Sequence, residues 1–248
     1  MFSTELLTKF LTLSNYYMSL RIIWLGHNIL SLGDFVLKGI ILAGGFGTRL
    51  RPLTNYLPKP MVPIIDKPIL EYIIALLRKH NILDIAVTLG YKSEHIVRYF
   101  GNGSRFGVHI EYSRETKPLG TAGAVKNAEK FLDDDFVVMS GDALTNIDLG
   151  RMIAYHNTHS GMVTMAVKSV ENTEGLGVLK LDDEGKIVDF QEKPLVPISN
   201  IVNTGIYVMK REVLDYIPPH LKYDFSHDLF PRILPYMYGY IDRRRIEC

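Results

Sequence analysis

Residues 42–60, LAGGFGTRLRPLTNYLPKP, concentrate the groups best suited to chemistry in this chain. Gly44, Gly45 and Gly47 follow Gly39–Ala43, a short apolar run that reads as a buried strand. Glycines at that point let the backbone approach an anion closely, with its N–H groups turned inward. Thr48 adds a hydroxyl donor, Arg49 a planar guanidinium suited to phosphate oxygens, and Lys59 a point charge. Together they describe a cradle for a triphosphate. A tight turn alone would account for the glycines but would leave Arg49 and Pro58-Lys59-Pro60 without a purpose. Two other phosphate motifs fit less well. No Gly-Lys-Ser or Gly-Lys-Thr occurs, so there is no P-loop. The dinucleotide fingerprint has Leu50 in its third glycine position, and Asp66, the acid at about the right spacing, lies ahead of the second strand rather than at its end.

A second chemical group stands at the end of another buried strand. Asp142 follows FVVMSG, and a carboxylate there can hold Mg²⁺, a hard cation that takes one or two protein oxygens plus substrate phosphates. An isolated Gly-Asp more commonly caps a helix; beside a phosphate loop at the same sheet edge, the metal reading leads. Asp133, Asp134 and Asp135 precede that strand and read as solvated turn residues. Gly120 and Thr121, in PLGTAGA, open a helix whose free N–H groups and glycines would let a flat ring lie against the backbone. Weaker signals come later. Lys193, in Glu192-Lys193-Pro194, could grip a second anion; Asn203 and Thr204 suit sugar hydroxyls; Gly177 would let a sugar ring pack on the backbone. His156 and His159 have no third ligand nearby in sequence and read as surface residues.

These groups need a scaffold, and strands and helices alternate from Gly39 onward. Helices are expected over 68–80, 93–100 and 121–132, with strands over 85–89, 108–112 and 136–139. That rhythm implies an α/β fold with a doubly wound, mostly parallel, Rossmann-like sheet, whose ligands bind at the carboxyl ends of the strands. After residue 160 the pattern becomes strand-rich (162–170, 177–181, 187–191 and 201–209), with a hairpin turn at 182–185 and a late helix near 225–234. This half is expected to add an antiparallel substrate lobe. Residues 39–160 then form a nucleotide-binding half and 161–240 a sugar-binding half. Residues 1–38 form an extension without assigned function (a packed helix, a frayed tail, or a leader ahead of a start near Leu37), and 241–248 an atypical tail.

Composition narrows the possibilities. At 248 residues the chain suits one large domain or one domain with a lobe, and 47% hydrophobic with 22% charged residues excludes wholesale disorder. Lys plus Arg (28) nearly balances Asp plus Glu (27), which excludes a protein holding nucleic acid mainly by a general positive field. The single cysteine, Cys248, allows neither an internal disulfide nor a cysteine-based zinc site. No uncharged apolar run reaches 18 residues and no convincing signal peptide opens the chain, so a soluble cytoplasmic protein with no membrane partner is expected. The sequence leaves oligomeric state open, a homo-oligomer included.

Taken in order, LAGGFGTRLRPLT, PKPMVPI, KPILEYII, PLGTAGAV, SGD, EKP and NTGIY resemble the sugar-nucleotidyltransferase (nucleotide-sugar pyrophosphorylase) family over residues 39 to about 240. Within it, the wording is most similar to the mannose-1-phosphate guanylyltransferases. The resemblance implies transfer of a nucleotidyl group from a nucleoside triphosphate, GTP favoured, to a sugar 1-phosphate, mannose 1-phosphate favoured, with Mg²⁺ as cofactor. It implies that Leu42, Ala43, Gly44, Gly45, Gly47 and Thr48 bind the nucleotide, with Gly120 and Thr121 by the base. Arg49 and Lys59 would be catalytic and Asp142 would hold the metal. Lys193 would hold the sugar phosphate, and Gly177, Glu192, Asn203 and Thr204 would contact the sugar.

One departure from the family pattern stands at the end. Where the family continues into W-x-D-I-G, whose Asp is the second metal ligand, this chain reads Ile241-Asp242-Arg-Arg-Arg-Ile-Glu-Cys248, and Asp242 comes several residues too early. The expectation is nucleotide binding with poor turnover, from a truncated or frameshifted reading frame. Two alternatives stay open: a glucose-1-phosphate uridylyl- or thymidylyltransferase, and a non-catalytic nucleotide-binding relative.

Overall fold

The computed structural model describes residues 37–242 except 46, 48, 49, 51 and 91. Residues 1–36 of the expected extension and 243–248 of the expected tail therefore lie outside the described residues. The first strand, β1 (Lys38–Leu42), shows why this sequence makes a two-sided sheet. Successive side chains on a strand point to opposite faces, and Ile40 and Ile41 are both fully buried in different cores. Replacing either with Ala would cost about 2–5 kcal/mol.

Further strands are β2 (Pro63–Ile64), β3 (Lys67–Pro68), β4 (Asp84–Leu89), β5 (His109–Arg114) and β6 (Phe136–Ser140). Three helices punctuate them: α1 (Ile69–Lys79), α2 (Ser93–Phe100) and α3 (Gly120–Asn127). In α1, Ile69, Leu70, Ile73, Ile74 and Leu77 form one buried stripe, while Arg78 and Lys79 suit the negative end of the helix dipole. After β6 come α4 (Leu149–His156), β7 (Val163–Ser169), β8 (Gly177–Leu181), β9 (Ile187–Glu192) and β10 (Ile201–Met209). A π turn (Phe225–Leu229), α5 (Phe230–Ile233) and β11 (Met237–Ile241) complete the described fold.

The main sheet runs β11-β7-β10-β6-β1-β4-β5. β1 lies parallel between β4 and β6, and β5 is parallel to β4. β10 is antiparallel to both β6 and β7. The β8–β9 hairpin joins through β8 and turns at Asp182, whose carboxylate accepts the N–H groups of Glu184 and Lys186. Because the chain goes from β1 to β4 and β5 on one side, then returns to β6 on the other, the ends of β1 and β6 flank the topological switch point. That is where an open α/β sheet takes its ligand. The expected mixed sheet with added antiparallel strands is therefore present, and strands of both halves share it. No helix among the described residues is long and apolar enough to cross a membrane.

Several local expectations need correction. The helix expected over 121–132 tightens after Asn127 into a 3₁₀ turn, with Ala128 N–H on the Val125 carbonyl at 3.0 Å and Phe131 N–H on Ala128 at 3.0 Å. The helix expected near 225–234 divides. Leu229 N–H reaches back to the Asp224 carbonyl at 3.1 Å to make the π turn, and Pro231, which has no N–H to donate, sits in the first turn of α5. The second half is not wholly antiparallel, since β11 pairs parallel with β7. His156 is buried rather than at the surface, because it continues the inner stripe of α4 formed by Leu149, Met152 and Ile153. Its Nδ1 meets the Thr164 hydroxyl at 2.7 Å; His159, partly buried, meets that hydroxyl at 3.0 Å.

Candidate active site

A cleft of about 320 Å³ opens at the carboxyl ends of β1 and β6. β1 and the loop after it supply Leu42, Ala43, Gly44, Gly45 and Gly47; β6 and its turn supply Ser140, Gly141 and Asp142. Lys59 and Pro60 line it as well, with Glu115, Gly120 and Thr121. Strand pairing makes this convergence obligatory. Leu42 is in register with Ser140, Gly141 N–H donates to the Leu42 carbonyl at 2.9 Å, and Ala43 N–H reaches Thr88 O at 3.2 Å. Thr48 and Arg49, assigned to this loop from sequence, lie outside the described residues.

The three loop glycines have different physical reasons. Gly47 has φ +60°, and a Cβ there would stand 2.9 Å from Thr54 Cγ2 and 3.0 Å from Lys59 Cβ. At Gly44 a Cβ would stand 3.0 Å from a carboxylate oxygen of Glu115, whereas at Gly45 it would meet nothing within 4 Å. Gly47 is thus needed by the fold, and Gly45 leaves room for a ligand. Lys59 opens a short 3₁₀ turn between Pro58 and Pro60, which fixes its backbone and directs its ammonium to the Asp142 carboxylate. The other oxygen of Asp142 accepts the Ser140 hydroxyl. Burial alone would raise the Asp142 carboxyl, but the Lys59 ammonium and the Ser140 hydroxyl outweigh it and hold the group below the ordinary carboxylate range. Asp142 is therefore an anion at neutral pH, with a cation already beside it.

The glycines at the start of α3 have a cause within the fold. A Cβ on Gly120 would stand 2.6 Å from the Tyr223 carbonyl, and one on Gly123 2.7 Å from the Leu221 carbonyl. They make room for a crossing backbone segment, and Gly120 lines the cleft. The Thr121 hydroxyl is engaged by the same segment, donating to Asp224 at 3.0 Å and accepting from Phe225 N–H at 2.7 Å.

Glu115, Lys222 and Asp224 also line the cleft, and sequence reasoning missed all three. Glu115 follows β5 directly, so the strand-end rule could have found it; nothing local marks Lys222 or Asp224. Burial pushes the Glu115 carboxyl above its usual range, with the Leu119 N–H at 2.9 Å partly countering it.

The expected sugar-side residues are not among those lining this cleft. Gly177 pairs with Glu192 across the hairpin, and a Cβ on it would stand 2.9 Å from a Glu192 carboxylate oxygen, so that space holds Glu192. Lys193 pairs with Glu192 at 3.0 Å. The Asn203 amide is held by Tyr207 and Gly205, and the Thr204 hydroxyl donates to the Ala166 carbonyl at 2.8 Å. Tyr207 connects the two regions. Burial drives its phenol well above the usual range, Asn203 partly counters that, and both Glu192 and the cleft-lining Asp224 raise it further.

Among the described residues no group of three or more His, Cys, Asp or Glu side chains could hold a metal. The partly buried carboxylate of Asp142 beside a phosphate loop nevertheless fits Mg²⁺, which completes its shell with phosphate oxygens and water. Asp242 is buried and accepts the Asp148 N–H at 3.3 Å at the start of α4, and it is not among the residues lining the cleft.

The sheet and the switch-point cleft define an α/β protein with its cleft at the strand ends, and the chain belongs to the nucleotidyl transferase family, whose sequence pattern matches residues 38–244. It is 44% identical over 214 residues to a UTP–glucose-1-phosphate uridylyltransferase of Synechocystis sp., covering 80% of this chain and 55% of that one. It is 35% identical over 208 residues to a mannose-1-phosphate guanylyltransferase of Mycobacterium tuberculosis, covering 82% and 58%. The chain thus spans little more than half the length of these two relatives. Among solved structures, a Bacillus anthracis protein described as a glucose-1-phosphate thymidylyltransferase superposes with a TM-score of 0.76 at 28% identity, covering 83% of this chain and 87% of that one.

Proposed function

We propose that this protein transfers a nucleotidyl group from a nucleoside triphosphate, GTP favoured, to a sugar 1-phosphate, mannose 1-phosphate favoured. An oxygen of the sugar phosphate attacks the α-phosphorus in line. The new P–O bond forms as the bond to the β-phosphate oxygen breaks, and pyrophosphate leaves with that electron pair. The observation that carries this reading is the meeting of Gly44, Gly45, Gly47, Lys59 and Asp142 in one cleft at the switch point. Loop N–H groups and Lys59, with Arg49 from the same loop, would hold the phosphates and the charge that develops on them. Asp142 would hold Mg²⁺, which when bound neutralises phosphate charge. Lys193, Glu192, Asn203, Thr204 and Gly177 are proposed to serve the sugar phosphate.

Glu115 supports GTP over the pyrimidine nucleotides. A carboxylate only accepts hydrogen bonds, and guanine offers two adjacent donors, N1–H and the 2-amino group. Uracil and thymine place carbonyl oxygens on both sides of their single N–H, which a carboxylate would repel. A second reading, UTP with glucose 1-phosphate, is favoured by the 44% identical uridylyltransferase relative. Binding of GTP, UTP and dTTP with and without Mg²⁺, followed by pyrophosphate release with mannose 1-phosphate or glucose 1-phosphate, tests both. GTP-dependent pyrophosphate release is expected with mannose 1-phosphate. A UTP-and-glucose result selects the second reading, and no Mg²⁺-dependent nucleotide binding at all defeats both.

A further inference from the structure

The strand that leads to Asp142, β6, pairs with one far from it in sequence, β10, through Met139 and Ile206. The register of β10 against β7 is irregular between Asn203 and Tyr207, the mark of a bulge. Inside it Gly205 has φ +76°, and a Cβ there would stand 3.2 Å from the Cβ of Ser140. Ser140 in turn donates its hydroxyl to Asp142. One side chain fixes the bulge: Asn203 Oδ1 accepts the Gly205 N–H at 2.9 Å, and its Nδ2 donates to the Tyr207 hydroxyl at 2.8 Å. That hydroxyl has little freedom, because the buried Tyr207 ring packs 5.3 Å from the ring of Phe225 and 5.6 Å from that of Phe230.

We propose that Tyr207 is a positioning residue for the metal-binding carboxylate: its hydroxyl locks the Asn203 amide, the amide locks the bulge, and the bulge seats Ser140 against Asp142. This rests on the reading of Asp142 as the Mg²⁺ ligand. It gives Asn203 a task within the fold beside the proposed contact with the sugar, since both ends of its amide are engaged there.

The test is the metal gain, the nucleotide affinity with Mg²⁺ divided by that in EDTA, measured with whichever of GTP, UTP or dTTP binds best. Tyr207→Phe keeps the ring packing and deletes only the hydroxyl; Asn203→Ala removes the same bond from the other side. Groups that directly orient a metal ligand typically matter about 10–100-fold. One step further out, each variant should lower the metal gain about fivefold and leave the EDTA affinity unchanged. Turnover should fall with it, and in Tyr207→Phe the KM for sugar 1-phosphate stays constant. A wild-type metal gain in Tyr207→Phe overturns the proposal, including the case where only the sugar-phosphate KM rises. Asp142→Asn separates the underlying reading: if it keeps the full metal gain, the metal assignment itself falls and the proposal falls with it.

Discussion

On the loop side of the cleft, Gly45 faces open space, and Lys59 and Asp142 are each about one-third exposed, at 35% and 32%, and paired with one another. On the β8–β10 side, Glu192 holds Lys193, the Asn203 amide is held at both ends, and Thr204 is bonded to the backbone. The first region meets a ligand by giving up one ion pair in return for phosphate contacts. The second must exchange hydrogen bonds it already makes, and breaking a buried bond without replacement costs about 1–3 kcal/mol. The proposed nucleotide side is therefore preorganised, whereas the proposed sugar side is committed to its own fold until a ligand competes for it.

The largest effect should come from the open side. Asp142→Asn is expected to lower kcat/KM by roughly 10²–10³-fold, the scale for removing one charge-stabilising group, in a pyrophosphate-release assay. Equal activity would make both regions bystanders. The glycines sharpen the contrast within the loop. Gly47→Ala should lose about 1–3 kcal/mol of stability in urea unfolding from its positive φ, while Gly45→Ala should unfold as the wild type does and weaken nucleotide binding. On the committed side, Glu192→Gln should raise the sugar-phosphate KM about tenfold, the worth of one charge-assisted hydrogen bond, and leave nucleotide affinity alone. A change in nucleotide affinity instead would erase the division between the regions.

The smallest expected effect is a pH dependence. Burial raises the Glu115 carboxyl, so acidification protonates it earlier than an ordinary carboxylate, and protonation turns one of the two acceptor oxygens that would face guanine into a donor. GTP affinity should therefore fall several-fold as pH drops through that raised range. In Glu115→Gln the Glu115-dependent part of the fall should vanish and UTP should gain relative to GTP. Calorimetric titration of both nucleotides across pH checks this.

The contrast also explains what could be read from the letters. The parallel core was legible because β1, β4 and β6 are short apolar runs ending in glycine or small polar residues, and the strand-end rule then placed Gly45, Lys59 and Asp142 together. The bounds of helix α4 were not assigned, although Asp148 caps it through the Arg151 N–H at 3.1 Å and its apolar residues fall at helical spacing. β11 was passed over because Gly239, of a residue type depleted in strands, occupies one of its buried positions in place of an apolar side chain. Asp224 and Lys222 could not be found locally, since a segment a hundred residues away crosses Gly120 and Gly123 to bring them in. The reason for those two glycines was likewise invisible, because the crossing backbone leaves no trace beside them in sequence.

The central claim is that the glycine loop and Asp142 form one phosphate-and-metal cleft. Crystals grown with GTP and Mn²⁺ test it directly, by anomalous diffraction from the metal. The predicted result is an anomalous peak at the Asp142 carboxylate, with nucleotide phosphates against the backbone of Gly44–Gly47 and the Lys59 ammonium turned toward them. Nucleotide bound elsewhere, or a metal peak away from Asp142 while Lys59 still covers it, would contradict the account.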